Sequence, residues 1–219
     1  MEKSFDGKDT AAIFLAHINP LTISHEKIIQ SLLENYKVYI FPVRFLKNNR
    51  EINTRSFPFS FEIRKQMILE SFNYNKDITV LSDYTFISPY IRYFSPFIPP
   101  DFQRLKKNII SGIKESKFIT YTGDRAERLL LKLFGFNPIL ANRQVISSTN
   151  VKNLLYKSAL SFKMLSRSNN NMDLEWNNYV SPKVSNIIKN NWNVIEHFSN
   201  SADKTIHVFG MKFPKDGFI

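Results

Sequence analysis

Two short segments hold most of the side chains that could take part in chemistry. The first runs from His17 to His25 and includes Asn19 and Thr22. It follows an apolar run at residues 11–15, which has the length of a buried strand, and it precedes a stretch with the apolar spacing of a helix. Helix N-termini bind phosphates, so this junction predicts an anion-binding site. A simple helix cap for Thr22 and a surface position for His25 are the alternatives.

The second segment places hydroxyl groups and a basic residue at the start of another predicted helix. Ser147, Ser148 and Thr149 come directly before the helical pattern at residues 151–164, and Lys152 lies in its first turn. An ordinary Ser/Thr cap before an amphipathic helix is the simplest explanation of such a pattern. The sequence therefore places polar groups at the N-termini of two predicted helices.

The elements around both segments alternate between strands and helices. Residues 11–15, 26–33 and 38–43 predict a βαβ unit with buried, parallel strands. Further helices and strands are predicted at residues 60–72, 78–81, 103–114, 118–122, 126–134, 151–164 and 182–190. This order predicts an α/β fold, a doubly wound parallel sheet that binds ligands at the carboxyl ends of its strands. We expect residues 1–165 to form this domain and residues 166–219 to form a small C-terminal helical extension and tail packed on it.

The composition excludes several classes of protein. The 219 residues include no cysteine, which rules out disulfides, thiolate metal sites and a cysteine nucleophile, and a histidine-rich zinc site is disfavoured because there are 4 His. The chain lacks the glycine-rich phosphate loops of dinucleotide-dependent dehydrogenases and P-loop kinases. No apolar run approaches the ~20 residues of a membrane span, so we expect a cytoplasmic protein with no membrane partner. The net charge of +11 fits an anionic partner, but it also fits the Lys- and Asn-rich bias of an AT-rich genome.

The two segments resemble motifs of one superfamily. Asn19-Pro20, Thr22 and His25 resemble the [T/H]-x-G-H motif of the nucleotidyltransferases, a superfamily that also contains the class I aminoacyl-tRNA synthetases. Residues 146–152 resemble its I-S-S-T-x-[I/V]-[R/K] signature. Four further segments resemble archaeal-type nicotinamide-nucleotide adenylyltransferases and keep their order: Pro58-Phe59-Ser60 with Arg64, residues 121–136, Asn142-Arg143, and residues 176–184.

The resemblance implies a Rossmann-like fold of the HIGH type and a specific reaction. AMP would pass from ATP to the 5′-phosphate of nicotinamide mononucleotide (NMN), giving NAD and pyrophosphate. As the resemblance implies, His25 and Thr22 would bind the α-phosphate and Lys152 the β- and γ-phosphates. The other ATP-binding residues would be His17, in place of the family's arginine, together with Asn19, Ser147, Ser148, Thr149 and Asp124.

The acceptor and the cofactor follow from the same resemblance. The acceptor would contact Asp83, Tyr84, Tyr90 and Arg64, with an aromatic ring stacked on the base. The alternative for the aromatic stretch at residues 84–105 is a lid or an oligomer contact. Mg²⁺ would bridge the phosphates, largely through water and substrate oxygens. The resemblance also implies a homo-oligomer.

Two other functions remain open. Thr22 is typical of phosphopantetheine adenylyltransferases, so the acceptor could differ from NMN, and a cytidylyltransferase using CTP is also possible. A function of another class is nucleic-acid binding on a degenerate scaffold. Ala16 and Ser24 stand where the family usually has glycine, and the basic charge and aromatic stretch would suit single strands. His25 and Lys152 argue against degeneration, because a dead site has no physical reason to keep both.

Overall fold

Strands and helices alternate along the computed structural model, which describes residues 9–94, 100–123, 125–141, 147–164 and 175–218. The strands are β1 (Thr10–Ala16), β2 (Lys37–Pro42), β3 (Arg44–Lys47), β4 (Arg50–Glu51), β5 (Ile78–Val80), β6 (Thr85–Ile87), β7 (Lys117–Thr122), β8 (Ile139–Leu140), β9 (Thr205–Val208) and β10 (Met211–Pro214). The helices are α1 (Ile23–Leu33), α2 (Phe61–Ser71), α3 (Pro100–Ser111), α4 (Arg125–Leu133), α5 (Ser148–Met164), α6 (Pro182–Asn190) and α7 (Trp192–Ser199).

The central sheet has five parallel strands in the order β5-β2-β1-β7-β8. β1 lies in the middle, where Ile13 pairs with Tyr39 of β2 and with Thr120 of β7. Both faces of a parallel sheet are covered, which explains why β1 is apolar throughout its buried length. The chain leaves β1 toward β2 on one side and reaches β7 on the other, so the strand order reverses beside β1. The predicted doubly wound α/β fold is confirmed.

Two hydrophobic cores cover the two faces of the sheet. Alternate residues of β1 divide between them, with Phe14 in one core and Ile13 in the other. The first core includes Trp176, Val184 and Ile195 from the C-terminal helical part of the chain. Residues 175–199 therefore join the core on this face, where α6 packs against α2 and α7 packs against α5.

The second core is closed by two small sheets that the sequence did not predict. β3 pairs with β4 and with β6 in a three-stranded sheet, and β9 pairs with β10 in an antiparallel hairpin. Phe213 of β10 has no exposed surface and contacts the rings of Phe45 and Phe86 at centroid distances of 5.2 and 5.0 Å. In the described part of the C-terminal extension, the α-helices end at Ser199, and the hairpin and a short 3₁₀ helix (Lys215–Gly217) follow.

The structure has helices at the predicted places, and some of their ends are shifted. The predicted helix at 60–72 is α2, the helix at 182–190 has the bounds of α6, and the helix at 103–114 begins earlier, as α3. The aromatic stretch at 84–105 contains β6, a 3₁₀ helix (Tyr90–Tyr93) and the start of α3. In the described part of the chain, no helix is long and apolar enough to cross a membrane.

Candidate active site

A cavity of about 250 Å³ opens where β1 and β7 end. Its walls come from the segments that follow both strands, from the first turns of α1 and α5, and from the β9–β10 hairpin. Ligands of doubly wound sheets bind at this place, beside the reversal of strand order. The residues that line it are Ala16, His17, Ile18, Ser24, His25, Ile28, Ser56, Phe57, Gly123, Glu127, Ser147, Ser148, Thr149, Lys152, His207, Gly210, Met211 and Lys212.

The N-terminus of α1 is capped by Thr22 and His25 together. The Thr22 N–H donates to Nδ1 of His25 at 3.2 Å, and the Thr22 hydroxyl lies 3.5 Å from the His25 backbone N. Because Nδ1 accepts this hydrogen bond, the proton of the neutral imidazole lies on Nε2. His25 therefore presents a donor on its other side, and its ring lines the cavity. Thr22 is fully buried and acts through this cap rather than at the cavity wall.

The N-terminus of α5 lies on the same cavity. Ser147 caps this helix, because its hydroxyl accepts the Asn150 N–H at 3.2 Å. Ser148 donates to the carbonyl of Pro20 at 3.2 Å, which ties α5 to the segment before α1. Ser147, Ser148 and the exposed Thr149 all line the cavity. Two helix N-termini therefore contribute their partial positive charge and backbone N–H groups to one space.

His17 forms part of the floor and is uncharged at neutral pH. Its half-buried ring stacks on Phe57, with centroids 4.9 Å apart and an interplanar angle of 10°. Burial, followed by the charges of Lys152 and Arg64, lowers the pKa of His17 from 6.5 to about 3. Before a ligand enters, His17 can offer a hydrogen bond but supplies no positive charge.

Lys152 and Lys212 both donate hydrogen bonds to Ser56. Lys152, which is 8% exposed, donates to the Ser56 carbonyl at 2.5 Å, and Lys212 donates to the Ser56 hydroxyl at 2.8 Å. Asp203 accepts from Lys212 at 3.2 Å and from the Ser56 hydroxyl at 2.7 Å. Burial, with the charge of Lys212 as the second cause, lowers the pKa of Lys152 from 10.5 to about 7, although Asp203 opposes this shift.

The structure brings together only part of the predicted site. His17, His25, Lys152 and the three hydroxyl residues of the second segment line the cavity. Asn19 does not, because it is buried and its amide exchanges two hydrogen bonds with the Phe59 backbone, at 2.9 and 3.2 Å. Asp124 lies outside the described residues.

The residues predicted to bind the acceptor lie away from this cavity. Tyr84 and Tyr90 have no exposed surface, and both belong to the aromatic core under the β9–β10 hairpin, so neither ring can stack on a base here. Arg64 is 2% exposed, and its guanidinium bonds the carbonyls of His17 and Val43 and the carboxylate of Glu51. Asp83 is half-buried and does not line the cavity. For Tyr84, Tyr90 and Arg64, burial replaces the predicted ligand contact with a structural role.

Sequence reasoning missed the cavity residues that come from other parts of the fold. Glu127 of α4 is 2% exposed and accepts from the Thr122 hydroxyl at 2.8 Å. His207, Gly210, Met211 and Lys212 come from the β9–β10 hairpin. A signal for the hairpin was present, since two alternating four-residue runs flank the dipeptide Phe209-Gly210. No local signal pointed to Glu127.

A second cavity of about 350 Å³ adjoins the first and shares Ser24 and Ile28 with it. It lies between α1 and the ends of β7 and β8, and its apolar wall includes Leu32, Tyr121 and Leu140. Ser24, Lys27 and Ser31 add polar groups to the same cavity, so both cavities have mixed polar and apolar walls, and the first also holds the ammonium groups and helix N-termini that suit an anion. Among the described residues, no group of three His, Cys, Asp or Glu side chains could hold a metal ion.

A comparison with solved structures supports this architecture. A protein from Vibrio parahaemolyticus described as a nicotinate-nucleotide adenylyltransferase has a TM-score of 0.51 at 14% identity, over 85% of this chain and 95% of that one. The chain has the same fold as that protein. A bifunctional NMN adenylyltransferase/ADP-ribose pyrophosphatase from Francisella tularensis, solved with AMP and a manganese ion, has a TM-score of 0.49 at 20% identity. That match covers 86% of this chain and 54% of the other, so the chain spans about half of that protein's length. No protein-family model and no curated protein matches the chain.

Proposed function

We propose that this chain is a nucleotidyltransferase that transfers AMP from ATP to the phosphate of a mononucleotide, with NMN as the first candidate. The observation that carries the proposal is the convergence of two helix N-termini, the His25 ring and the Lys152 ammonium on one cavity at the carboxyl ends of β1 and β7. This set of donors and positive charges suits a polyphosphate. The adjoining cavity, whose wall has both polar and apolar side chains, would accept the nucleoside part of the same ligand.

The reaction needs few catalytic groups from the protein. An oxygen of the acceptor phosphate attacks the α-phosphorus of ATP and forms a new P–O bond. The bond from that phosphorus to the bridging oxygen breaks, and pyrophosphate leaves with the electron pair. Because the attacking oxygen is already anionic, no general base is required. Catalysis then consists of orientation and of stabilising the charge that develops on the phosphoryl oxygens.

The side chains around the cavity divide this work. The Nε2–H of His25 would donate to an α-phosphate oxygen, and the cap from the Thr22 N–H to Nδ1 keeps the proton on the correct nitrogen. Ser147, Thr149 and Lys152, at the N-terminus of α5, would bind the β- and γ-phosphates. His17, uncharged before ligand binding, would contribute a hydrogen bond and would not replace the arginine that the family resemblance leads one to expect.

Mg²⁺ would be bound in this site mainly by oxygens of the substrate. Glu127 is the only acidic side chain among the described residues that line the cavity, and it already accepts from Thr122. A Mg²⁺ ion that keeps several waters and binds mainly to phosphate oxygens needs no more than one such carboxylate. When bound, the ion would neutralise negative charge on the phosphates and on the leaving pyrophosphate.

The acceptor stays the open part of the proposal. With Tyr84, Tyr90 and Arg64 in structural positions, no described residue yet favours NMN over another phosphorylated acceptor. Phosphopantetheine as acceptor and CTP as donor are therefore included in the test. A cytoplasmic location and a homo-oligomeric state also stay predictions.

The test is pyrophosphate release from Mg²⁺-ATP with NMN, nicotinate mononucleotide, phosphopantetheine or choline phosphate, and with CTP as a second donor. His25→Ala should lower kcat about a hundredfold to a thousandfold, as the loss of a single oxyanion donor does. His197→Ala is the matched control, because His197 is exposed and does not line the cavity. Wild-type turnover in the His25 variant would remove His25 from the mechanism. No release with any pair of substrates would leave nucleic-acid binding as the remaining function, visible as a steep dependence of affinity on salt.

A further inference from the structure

The β9–β10 hairpin forms a fixed wall of the cavity. Its two-residue turn, Phe209-Gly210, has positive φ angles of 49° and 82°, the combination that fits the twist of a tight antiparallel hairpin. The hairpin is anchored below by Phe213 and by Met211, whose sulfur accepts the Tyr84 hydroxyl at 3.9 Å. Directly after β10, the Lys47 ammonium donates to the Asp216 carbonyl at 2.7 Å. These contacts hold the hairpin in place without a ligand.

The anchored hairpin places Lys212 at the cavity with its charge accessible. Met211 and Phe213 point into the core, whereas Lys212, between them, has a side chain that is 34% exposed and lines the cavity. Strand geometry explains this alternation, since successive side chains point to opposite faces. Its ammonium forms an ion pair with Asp203 at 3.2 Å, in which both side chains are one-third exposed. Such a pair is weak and can yield to a stronger anion.

The ammonium groups of Lys212 and Lys152 lie close together at the cavity, where one anion could contact both. Both ammonium groups bond to Ser56, one at its hydroxyl and the other at its carbonyl. Burial is the main cause of the lowered pKa of Lys152, and repulsion by the charge of Lys212 is the second cause. A polyphosphate between them would replace repulsion with two charge-assisted contacts.

We propose that Lys212 is a second ammonium group for the polyphosphate, which binds the leaving pyrophosphate together with Lys152. Asp203 and Ser56 hold the Lys212 side chain at the cavity before the anion enters. The C-terminal hairpin is then part of the binding site, in addition to the two motif segments. This inference rests on the proposed function for the identity of the anion, and it goes further by naming the element and residue that bind it.

The test uses the full chain and inorganic pyrophosphate as the probe, measured by isothermal titration calorimetry. Lys212→Met keeps the apolar stem and removes the charge, so the fold should be retained. Its affinity for pyrophosphate should fall on the order of tenfold to a hundredfold, the equivalent of one charged hydrogen bond. Lys212→Arg should restore most of the loss. Lys215→Ala is the matched control, because Lys215 is exposed in the same segment and does not line the cavity.

The outcomes separate this inference from the proposed function. Wild-type pyrophosphate affinity in Lys212→Met, or no pyrophosphate binding by the wild type, would overturn the inference. If the wild type transfers AMP and Lys212→Met does so with unchanged ATP KM and kcat, the function stands and the role of Lys212 is wrong. If the wild type binds pyrophosphate through Lys212 but transfers no nucleotide to any acceptor, the anion site stands and the proposed reaction is wrong. Melting temperatures of all variants show whether a loss of binding is a loss of fold.

Discussion

Replacing Arg64 by methionine should destabilise the protein and leave the acceptor site intact. Arg64 lies on α2 and is 2% exposed. Nη1 of its guanidinium donates to the carbonyls of His17 and Val43, at 2.9 and 2.8 Å, and Nη2 donates to Glu51 at 3.0 Å. The two carbonyls follow directly after β1 and β2, so Arg64 ties the carboxyl ends of two neighbouring strands together.

The loss of stability in Arg64→Met can be estimated from the buried groups that lose their partner. Glu51, whose side chain is 16% exposed, would keep its charge without a cation, and two carbonyls would lose their donor. Breaking a buried ion pair on one side costs about 3–5 kcal/mol. At roughly 2–4 °C per kcal/mol for a protein of this size, the melting temperature should fall by about 6–20 °C.

Urea unfolding and thermal melting measure this loss, and a double-mutant cycle with Glu51→Gln assigns its cause. The amide introduced by Glu51→Gln would keep an acceptor for the Phe61 N–H, which Glu51 bonds at 2.9 Å, but would remove the charge. The double variant should therefore be more stable than the sum of the single losses predicts, by about 0.5–3 kcal/mol. An unchanged melting temperature in Arg64→Met, together with a raised acceptor KM, would refute this reasoning and return Arg64 to the acceptor site.

Two further predictions concern stability. The pKa of Lys152 is about 7 in the folded protein and 10.5 as its ordinary value, so between these pH values the unfolded chain binds more protons and stability rises with pH. Lys152→Met should remove this rise, measured as the free energy of unfolding in urea at pH 7, 8 and 9. Gly217→Ala should cost about 1–3 kcal/mol by thermal melting, because the new Cβ would lie 1.8 Å from the Tyr90 ring.

Each of these predictions has a result that contradicts it. Parallel pH profiles for the wild type and Lys152→Met would mean that Lys152 is charged in the folded protein up to its ordinary pKa. For the glycine, Gly123→Ala is the matched control, since its Cβ would meet nothing within 4 Å. Equal melting temperatures for the Gly217 and Gly123 variants would show that the Tyr90 ring moves aside without cost.

Local patterns predicted the central fold because its elements are long enough to show their own periodicity. The apolar run of β1 and the helical spacing of α1 are properties of consecutive residues, and α6 could be placed from its spacing alone. β3 and β6 are three or four residues long, and they pair across some forty residues, Arg44 with Thr85. No window of sequence contains that information, so the small sheet could not be predicted.

The same distinction applies to the site. His25 and Lys152 were predictable because each lies in a motif at the start of a helix. Lys212 reaches the cavity only because Phe213 packs in a core built from β3 and β6. Arg64 is the opposite case, because its motif-like segment predicts a ligand contact whereas in the structure its guanidinium donates to buried backbone carbonyls. For a basic residue, the local sequence does not show whether the side chain is buried, and burial decides between these two roles.

The central position of β1 also affects how the nascent chain behaves while it is being synthesised. β1 is made before β7, its neighbour in the sheet, and Thr10 pairs with Lys117, more than a hundred residues later. Until β7 emerges, one edge of an uncharged, apolar strand has unpaired backbone groups, and such edges associate with other chains. The sequence Ala-Ala-Ile-Phe-Leu-Ala has neither charge nor proline to prevent this. Nascent chains that stall before residue 117 should therefore aggregate through β1, and chaperone binding at this strand would protect them.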